Sequence, residues 1–329
     1  MKLQQLRYIW EVANNDLNVS ATALSLYTSQ PGISKQIRLL EDELGVEIFS
    51  RSGKHLTKVT PTGEDILEIA GEILRKVEAI KQLSRDYKSP SFGSLSIATT
   101  HTQARYILPN IIKGFIAKYP DVSLNMVQGS PSHISEEATG GAADFAIAYE
   151  DLELFGSLAM MPCYHWNRCI LVPKDHPLVG IEKITLEDVV KHSIVTYPFG
   201  HQGRSKRSKA FREHNLTPKI VFTATDAEVI KTYVRLGLGV GIVAYMAYDK
   251  DEDADLVAIE ASHLFEPSVT SIGIRRGTYL RGYMYDFIEA FAPHLTRTVV
   301  QDVMALTSKE AQTAYFTELE VPIYSIISD

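Results

Sequence analysis

The sequence predicts an α+β multidomain protein with a helical N-terminal domain, a long connecting helix and a C-terminal α/β domain. Residues 1–60 carry apolar side chains at helical spacing, followed by a short hairpin pattern. Apolar residues then recur every seven positions from 66 to 87. From Gly93 onward, strand and helix patterns alternate, which is typical of sheets with helices on their faces.

Length and composition exclude several classes of protein. The 329 residues are 45% hydrophobic and 22% charged, which is close to the average for globular domains, and the length suits two or three domains. No apolar run approaches the ~18 residues of a membrane span, and the N-terminus lacks the apolar stretch of a secretory signal. Two cysteines do not make a disulfide framework. These features predict a cytoplasmic protein with no membrane contact.

The first 60 residues predict three short helices and a hairpin. Ser29 is placed to cap the third helix, with Pro31 in its first turn, where a missing N–H costs nothing. Gly45 follows the last apolar position of that helix and predicts its end. The next residues alternate loosely around a turn that contains Gly53, which predicts the hairpin.

A connecting helix and hinge are predicted over residues 61–92. The apolar repeat extends over nearly four heptads with one polar interruption, which favours pairing with the same helix of a second copy. The alternative is an amphipathic helix packed on its own domain. The residues predicted to mediate dimerisation are Ile66, Ile69, Ile73, Ile80 and Leu83.

Residues 93–300 predict the α/β domain, and residues 301–329 a C-terminal tail. About 200 residues suffice for two small α/β units. The predicted strands, which are separated by helical patterns, cover residues 94–100, 122–129, 143–149, 168–173, 193–198, 219–224, 240–245 and 270–276.

Charge is segregated in a way that suits contact with DNA. Residues 1–88 carry 12 basic and 12 acidic side chains, whereas residues 89–329 carry 21 and 28 and hold the whole net charge of −7. Acidic residues are absent from 17–40 and from 48–63. A local basic surface, not a basic chain, is what DNA requires.

The third helix carries side chains that suit base edges and phosphates on the side opposite its apolar stripe. Such a helix in a three-helix unit fits a helix-turn-helix, with the hairpin as a basic wing. The alternative is the solvated face of an ordinary helical bundle. The predicted contacts to double-stranded DNA are Ser29, Gln30, Pro31, Ser34, Lys35, Arg38, Arg51, Lys54 and Lys58.

Two segments of the N-terminal domain, TSQPGISKQIRLLEDELG at 28–45 and IFSRSGKHLTKVTPTG at 48–63, resemble the winged helix-turn-helix of LysR-type transcriptional regulators. Four others resemble the branch that activates cysteine-biosynthesis genes: IATTHTQARY at 97–106, PCYHWNR at 162–168, TATDAEVIKTYVRLGLGVG at 223–241 and YMYDFIEAFAPHLT at 283–296.

The resemblance implies a homotetramer, a dimer of dimers that binds promoter operators and acts on RNA polymerase. It also implies a small-molecule effector, with acetylserine as inducer and sulfate or thiosulfate as opposing ligands. The effector domain would resemble periplasmic binding proteins. Its two α/β subdomains would comprise about 93–163 with 268–300, and about 164–267.

An effector site is predicted where a strand ends and a helix begins, at Thr100, Thr102 and Gln103. Free N–H groups and the helix dipole favour an anion there. The alternative is simple helix capping by a threonine. The resemblance adds Tyr149, Trp166 and Gln202 to the site. Positions 149 and 202 usually carry threonine in this branch, so Tyr149 predicts weaker sulfate binding.

No enzyme, metal site or cofactor is predicted. The histidines have no Ser or Asp partner at a nucleophile motif. Cys163 and Cys169, with His165 between them, fall short of a zinc set and favour buried packing. Glycines at 237–241 follow a helix and precede a strand, which favours a helix end over a dinucleotide loop. The competing class is a periplasmic-type binding protein without DNA function, against which the helix-turn-helix argues.

Overall fold

The computed structural model describes residues 1–53, 55–88, 92–149, 155–198, 206–306 and 308–324. The chain divides into two compact units. The first comprises Met1–Lys88 with Gly277–Tyr279, and the second comprises Ser89–Arg276 and Leu280–Asp329.

The first unit has the predicted three helices, hairpin and long helix. Its elements are α1 (Leu3–Asn14), α2 (Val19–Ser25), α3 (Gln30–Leu44), β1 (Phe49–Ser52), β2 (His55–Val59) and α4 (Pro61–Lys88). β1 and β2 pair antiparallel.

Local signals place the ends of α3 as predicted. The Ser29 hydroxyl accepts a hydrogen bond from the Gly32 N–H at 3.3 Å, and Gly45 ends the helix at φ 70°. A left-handed φ favours glycine, because other residues are strained there. Ile33, Ile37 and Leu40 are fully buried and form the apolar back of the helix.

α4 packs on its own unit with one set of apolar side chains and exposes another set, and its pairing with a second copy stays a prediction. Ile66 and Ile73 are partly buried and pack against the core of their own unit, so a local core does exist for the first half of the helix. Ile69, Ile80 and Leu83 are 57%, 67% and 53% exposed. Their exposure leaves an apolar stripe on α4 that the described residues do not cover.

The second unit contains two five-stranded mixed sheets. The first has the order β4-β3-β5-β12-β6 and the second β11-β7-β10-β8-β9. The strands are β3 (Gly93–Thr99), β4 (Val122–Gln128), β5 (Phe145–Ala148), β6 (Leu158–Trp166), β7 (Arg168–Pro173), β8 (Ile194–Thr196), β9 (Ile220–Thr223), β10 (Val240–Ala244), β11 (Leu256–Glu260) and β12 (Ser268–Arg275). All eight predicted strands are confirmed, whereas β6 and β11 were not predicted.

Helices cover both faces of each sheet. They are α5 (Leu108–Lys118), α6 (Pro131–Gly140), α7 (Leu186–Val190), α8 (Lys206–Glu213), α9 (Ala227–Arg235), α10 (Gly282–Phe291), α11 (Arg297–Ala305) and α12 (Lys309–Thr317). In β5, Phe145 and Ile147 face one core, and Ala146 and Ala148 face the other, which follows the two-residue period of a strand.

The chain crosses from the first sheet to the second at Asn167. β6 ends at Trp166 and β7 begins at Arg168, so a single residue separates strands of different sheets. The return crossing ends at Ser268, which lies opposite Trp166 in the β6–β12 register. Trp166, Asn167 and Ser268 are therefore brought together where the two sheets meet.

Candidate functional site

The exposed side of α3 brings together the side chains predicted to contact DNA. Gln30, Lys35 and Arg38 are exposed, and Ser34 is partly exposed. The Gln30 amide donates a hydrogen bond to the Ser34 hydroxyl at 3.1 Å. These residues lie opposite the buried stripe of the helix, so their polar groups are available to a partner.

The hairpin differs from the prediction at Arg51. Its guanidinium pairs with the Glu41 carboxylate, which is only 6% exposed. That carboxylate also accepts hydrogen bonds from the N–H groups of Ile48 at 2.9 Å and Phe49 at 3.1 Å. Arg51 therefore ties the hairpin to α3, and its contact with DNA stays a prediction. Lys58 is exposed, and Lys54 lies outside the described residues.

The second candidate site begins at the end of β3. The strand ends at Thr99, and a continuous helical stretch runs from His101 to Lys118. Its segment Gln103–Ile107 is a π-helix, an irregularity that is frequent at functional sites. Thr100 and Thr102 are 9% and 3% exposed, so they lie inside the fold, at the start of the helix as predicted.

Tyr149 and Trp166 lie against each other. β3 and β5 are adjacent and parallel, so Thr100 and Tyr149, which follow their carboxyl ends, share one edge of the sheet. The Tyr149 and Trp166 rings meet edge to face, with centroids 5.0 Å apart. The Arg168 guanidinium lies 4.9 Å from the Trp166 ring centroid, and that cation is 2% exposed. Gln202 lies outside the described residues.

Several buried polar atoms here have no hydrogen-bond partner in the described part of the chain. They are Thr100 Oγ1, Trp166 Nε1, Asn167 Oδ1 and Ser268 Oγ. Buried polar atoms in folded proteins are nearly always paired, because an unpaired one retains its full desolvation cost. The arrangement suits a small polar ligand that supplies the missing hydrogen bonds.

Gln103, a predicted ligand donor, makes hydrogen bonds within the protein. It is fully buried, and its amide nitrogen donates to Thr270 Oγ1 at 3.2 Å. The same nitrogen lies 3.9 Å from the Met246 sulfur. The Tyr164 hydroxyl donates to the Gln103 carbonyl oxygen. The amide nitrogen and the carbonyl oxygen of Gln103 therefore both have partners within the protein, and its contact with a ligand stays a prediction.

A network of charges joins the π-helix to α9. Glu228 accepts hydrogen bonds from the Tyr106 hydroxyl at 2.6 Å and from Arg105 at 3.1 Å. It also pairs at 2.7 Å with Lys231, which pairs at 2.8 Å with Asp253. Burial and the bond to Glu228 raise the pKa of Tyr106 well above its usual value, so the hydroxyl is a stable donor.

Lys231 and Asp253 are almost completely buried, with 1% and 2% of their side chains exposed. The other residues between 249 and 255 are exposed, and Asp253 alone among them is buried. This carboxylate also accepts hydrogen bonds from Arg235 at 2.7 Å and from the Asp249 N–H at 3.0 Å. Three donors therefore stabilise the buried charge.

Two family models match the chain. One, described as a bacterial regulatory helix-turn-helix protein of the lysR family, matches residues 3–64. The other, the LysR substrate binding domain, matches residues 88–296, more than half of the chain. The chain is a LysR-type transcriptional regulator. The resemblance seen in the sequence is thereby confirmed, and residues 3–64 argue against a binding protein without DNA function.

This LysR-type regulator is similar along most of its length to curated proteins. It is 52% identical to the HTH-type transcriptional regulator CysB of Haemophilus influenzae, over 98% of this chain and 99% of that protein. It is 45% identical to SsuR of Burkholderia cenocepacia over 92% and 99%, and 43% identical to cbl of Escherichia coli K12 over 88% and 92%. All three are named transcriptional regulators.

Solved structures agree with this assignment. The cofactor-binding domain of the Cbl transcriptional regulator matches with a TM-score of 0.62 and 40% identity, over 65% of this chain and 95% of that one. A full-length OxyR variant from Pseudomonas aeruginosa matches with a TM-score of 0.63 and 24% identity, over 94% and 96%. The latter shows a shared fold.

Other predictions about this regulator are also answered by its structure. Cys163 and Cys169 are fully buried, as predicted, and burial raises the pKa of the Cys169 thiol to about 12. Gly237 ends α9 at φ 75°, as predicted for a helix end. Across the described ranges, no helix combines the length and apolar character needed to cross a membrane.

Proposed function

We propose that this regulator activates sulfur-assimilation and cysteine-biosynthesis genes, with acetylserine as inducer and sulfate or thiosulfate as opposing ligand. The observation that carries the proposal is the 52% identity to CysB of Haemophilus influenzae over 98% of the chain. The similarity to SsuR and cbl supports the same branch of the family. The regulator would act in the cytoplasm as a dimer of dimers at promoter operators and contact RNA polymerase there.

We assign residues 1–60 to DNA binding, 61–92 to dimerisation and hinge, 93–300 to effector binding and 301–329 to the tail. In the DNA-binding part, Ser29 and Pro31 set the start of α3, while Gln30, Ser34, Lys35 and Arg38 contact bases and phosphates. Exposure of this face supports the assignment. In the hairpin, Lys58 contacts the backbone from an exposed position, and the same role is proposed for Lys54.

We expect Arg38→Ala to weaken binding to the preferred operator by about 1–3 kcal/mol and to relax specificity at one base pair, because a base contact is lost. Lys58→Ala should weaken binding to all sequences equally and lower the salt slope by roughly one unit, because one phosphate contact is lost. Gel-shift titrations at several salt concentrations, on DNA that the intact chain selects from a random pool, measure both effects.

The matched control for these changes is Arg7→Ala, which removes an exposed cation from α1 and leaves α3 intact. Its operator affinity should equal that of the wild type. If Arg38→Ala and Lys58→Ala also bind like the wild type, the DNA-docking surface is misassigned.

For the effector, we propose that a sulfate or carboxylate group docks at Thr100 and Thr102, at the start of the helical stretch. The dipole at a helix N-terminus contributes about 0.3–2 kcal/mol to an anion. Trp166 forms one wall, and its unpartnered Nε1, with Ser268 Oγ, adds donors. The Tyr149 ring packs against Trp166 and reduces the space left for the ligand. Gln202 is proposed to complete it.

We expect Thr100→Val to weaken sulfate binding about fivefold to tenfold, because one hydrogen bond of roughly 1 kcal/mol is lost. The stability of the ligand-free chain should stay level or rise, because the change removes a buried hydroxyl that has no partner in the described ranges. Calorimetric titration with sulfate and thermal unfolding measure the two effects. Thr139→Val, an exposed threonine on α6, is the control. Equal sulfate affinity in all three proteins would place the anion elsewhere.

A ligand that touches both subdomains can act as a switch. Ligand binding shifts an equilibrium only by its differential affinity for the two states. Thr100 directly follows β3 of the first sheet, whereas Asn167 lies at the crossing to the second. We infer that a bound effector selects one arrangement of these subdomains and, through it, one DNA-bound form of the tetramer.

A further inference from the structure

The end of the C-terminal tail forms a single β-bridge with the first sheet. β6 is an edge strand of that sheet. The His165 N–H donates to the Pro322 carbonyl at 2.8 Å, and the Tyr324 N–H donates to the His165 carbonyl at 2.7 Å. These bonds form a parallel bridge between His165 and Ile323. The tail therefore covers the edge of β6 directly beside Trp166.

This contact continues through side chains to the ligand site. The ring of Tyr324 packs against that of Tyr164, with centroids 5.5 Å apart. Tyr164 is 5% exposed, and its hydroxyl donates to Gln103 in the π-helix. Trp166 follows two residues later on the same strand. Residues 322–324 thus support a buried tyrosine that holds the helix start carrying Thr102.

Residues 322–324 lie at the surface end of the tail, whereas Val303 at its start belongs to the core. A cavity of about 440 Å³ lies beside α12, and its lining includes Met160 and Pro162 of β6 and Phe316 of α12. Ile323 is 68% exposed. Among the described residues, two backbone hydrogen bonds and the Tyr324–Tyr164 ring contact join residues 322–324 to β6, and Tyr324 also packs against the core. Each of these interactions is modest by itself.

We propose that residues 322–324, here named the strap, are a positioning element of the effector site. The strap holds Tyr164 against Gln103. It thereby fixes the positions of Trp166 and of the helix start at Thr102 in the ligand site. This proposal rests on the proposed function, because it takes the site at Thr100 and Trp166 as the effector site. Tyr324 acts through Tyr164 and does not itself contact the ligand.

The test uses Trp166 as a local reporter. Trp10 and Trp166 are the two tryptophans of the chain, so Trp10→Phe leaves Trp166 as the sole emitter. In this background, Tyr324→Pro removes both the N–H that bonds His165 and the ring that contacts Tyr164. We expect Trp166, which is 2% exposed, to emit at longer wavelength and to be quenched several-fold more by acrylamide. The affinity for sulfate, the probe, should fall about tenfold.

Ile323→Ala is the matched control, because it changes the exposed neighbour and keeps both backbone bonds. Its emission and sulfate affinity should match those of the parent. Tyr324→Ala keeps the N–H but loses the ring. Its Trp166 quenching and sulfate affinity should therefore lie between those of the parent and those of Tyr324→Pro. Circular dichroism, and operator binding measured without effector, should be the same for all variants, since the strap lies outside the DNA-binding unit.

The outcomes separate the two proposals. If Trp166 quenching and sulfate affinity are unchanged in Tyr324→Pro, the strap proposal is overturned while the effector site stands. If the parent protein binds neither sulfate nor acetylserine, the proposed effectors are wrong, and the quenching comparison still decides whether the strap positions Trp166.

Discussion

Replacing Lys231 with methionine should lower the free energy of unfolding of the second unit by about 3 kcal/mol. Removing one partner of a buried ion pair leaves the other charge desolvated, which typically costs about 3–5 kcal/mol. Asp253 retains its hydrogen bonds from Arg235 and from the Asp249 N–H, so the lower end of that range is expected. Urea unfolding followed by Trp166 fluorescence, in the Trp10→Phe background, measures the change.

Two further variants test whether the loss of stability comes from the buried charge. Lys191→Met breaks an ion pair with Asp188 in which the lysine is 68% exposed, and it should cost under about 1 kcal/mol. The double change Lys231→Met with Asp253→Leu removes both buried charges and should recover part of the lost stability. A cost for Lys231→Met no greater than that for Lys191→Met would contradict a buried network.

Placing aspartate at both Ile80 and Leu83 should abolish dimerisation through α4. These side chains are 67% and 53% exposed, so the fold of one chain does not depend on them. In a paired helix, however, the change buries two charges in an apolar seam. We expect the dimer dissociation constant to rise at least ~1000-fold, which is about 4 kcal/mol. Sedimentation velocity at micromolar concentration measures it.

The choice of residues follows from the structure of α4. Ile73 continues the same heptad pattern, but it packs against the core of its own unit, so its replacement would unfold the domain as well. Lys81→Glu changes an exposed charge beside the stripe and serves as the control. Unchanged dimers of the Ile80 and Leu83 double variant would show that another surface pairs the chains.

Sequence periodicity was sufficient to predict most helices and strands of the fold. The apolar stripe of α3, its Ser29 cap and its Gly45 end depend on neighbours within one or two helical turns. The eight predicted strands carry apolar runs that form strands in many contexts. β6 was not predicted because its sequence LAMMPCYHW includes a proline, which is uncommon inside strands; here, a bulge in its pairing with β12 begins at that proline.

The DNA-binding face was also predictable to a large extent. Gln30, Lys35 and Arg38 follow from helix geometry alone once α3 is recognised. Arg51 could not be assigned in this way, because its partner Glu41 is ten residues away on another element. The sequence shows that Arg51 is a cation, but only the packing of the hairpin against α3 shows that this cation is already paired.

By itself, the sequence determined the family, the order of the elements other than β6 and β11, the polar face of α3 and the position of Thr100 and Thr102 at a helix start. The tertiary structure alone decided which polar groups are already paired. Gln103 and Thr270 are 167 residues apart in sequence, and Tyr106 and Glu228 are 122 apart. It also decided that Asp253 is buried and that the tail reaches His165. Helix and strand patterns arise from neighbouring residues, whereas hydrogen-bond partners and burial depend on which distant segments the fold brings together.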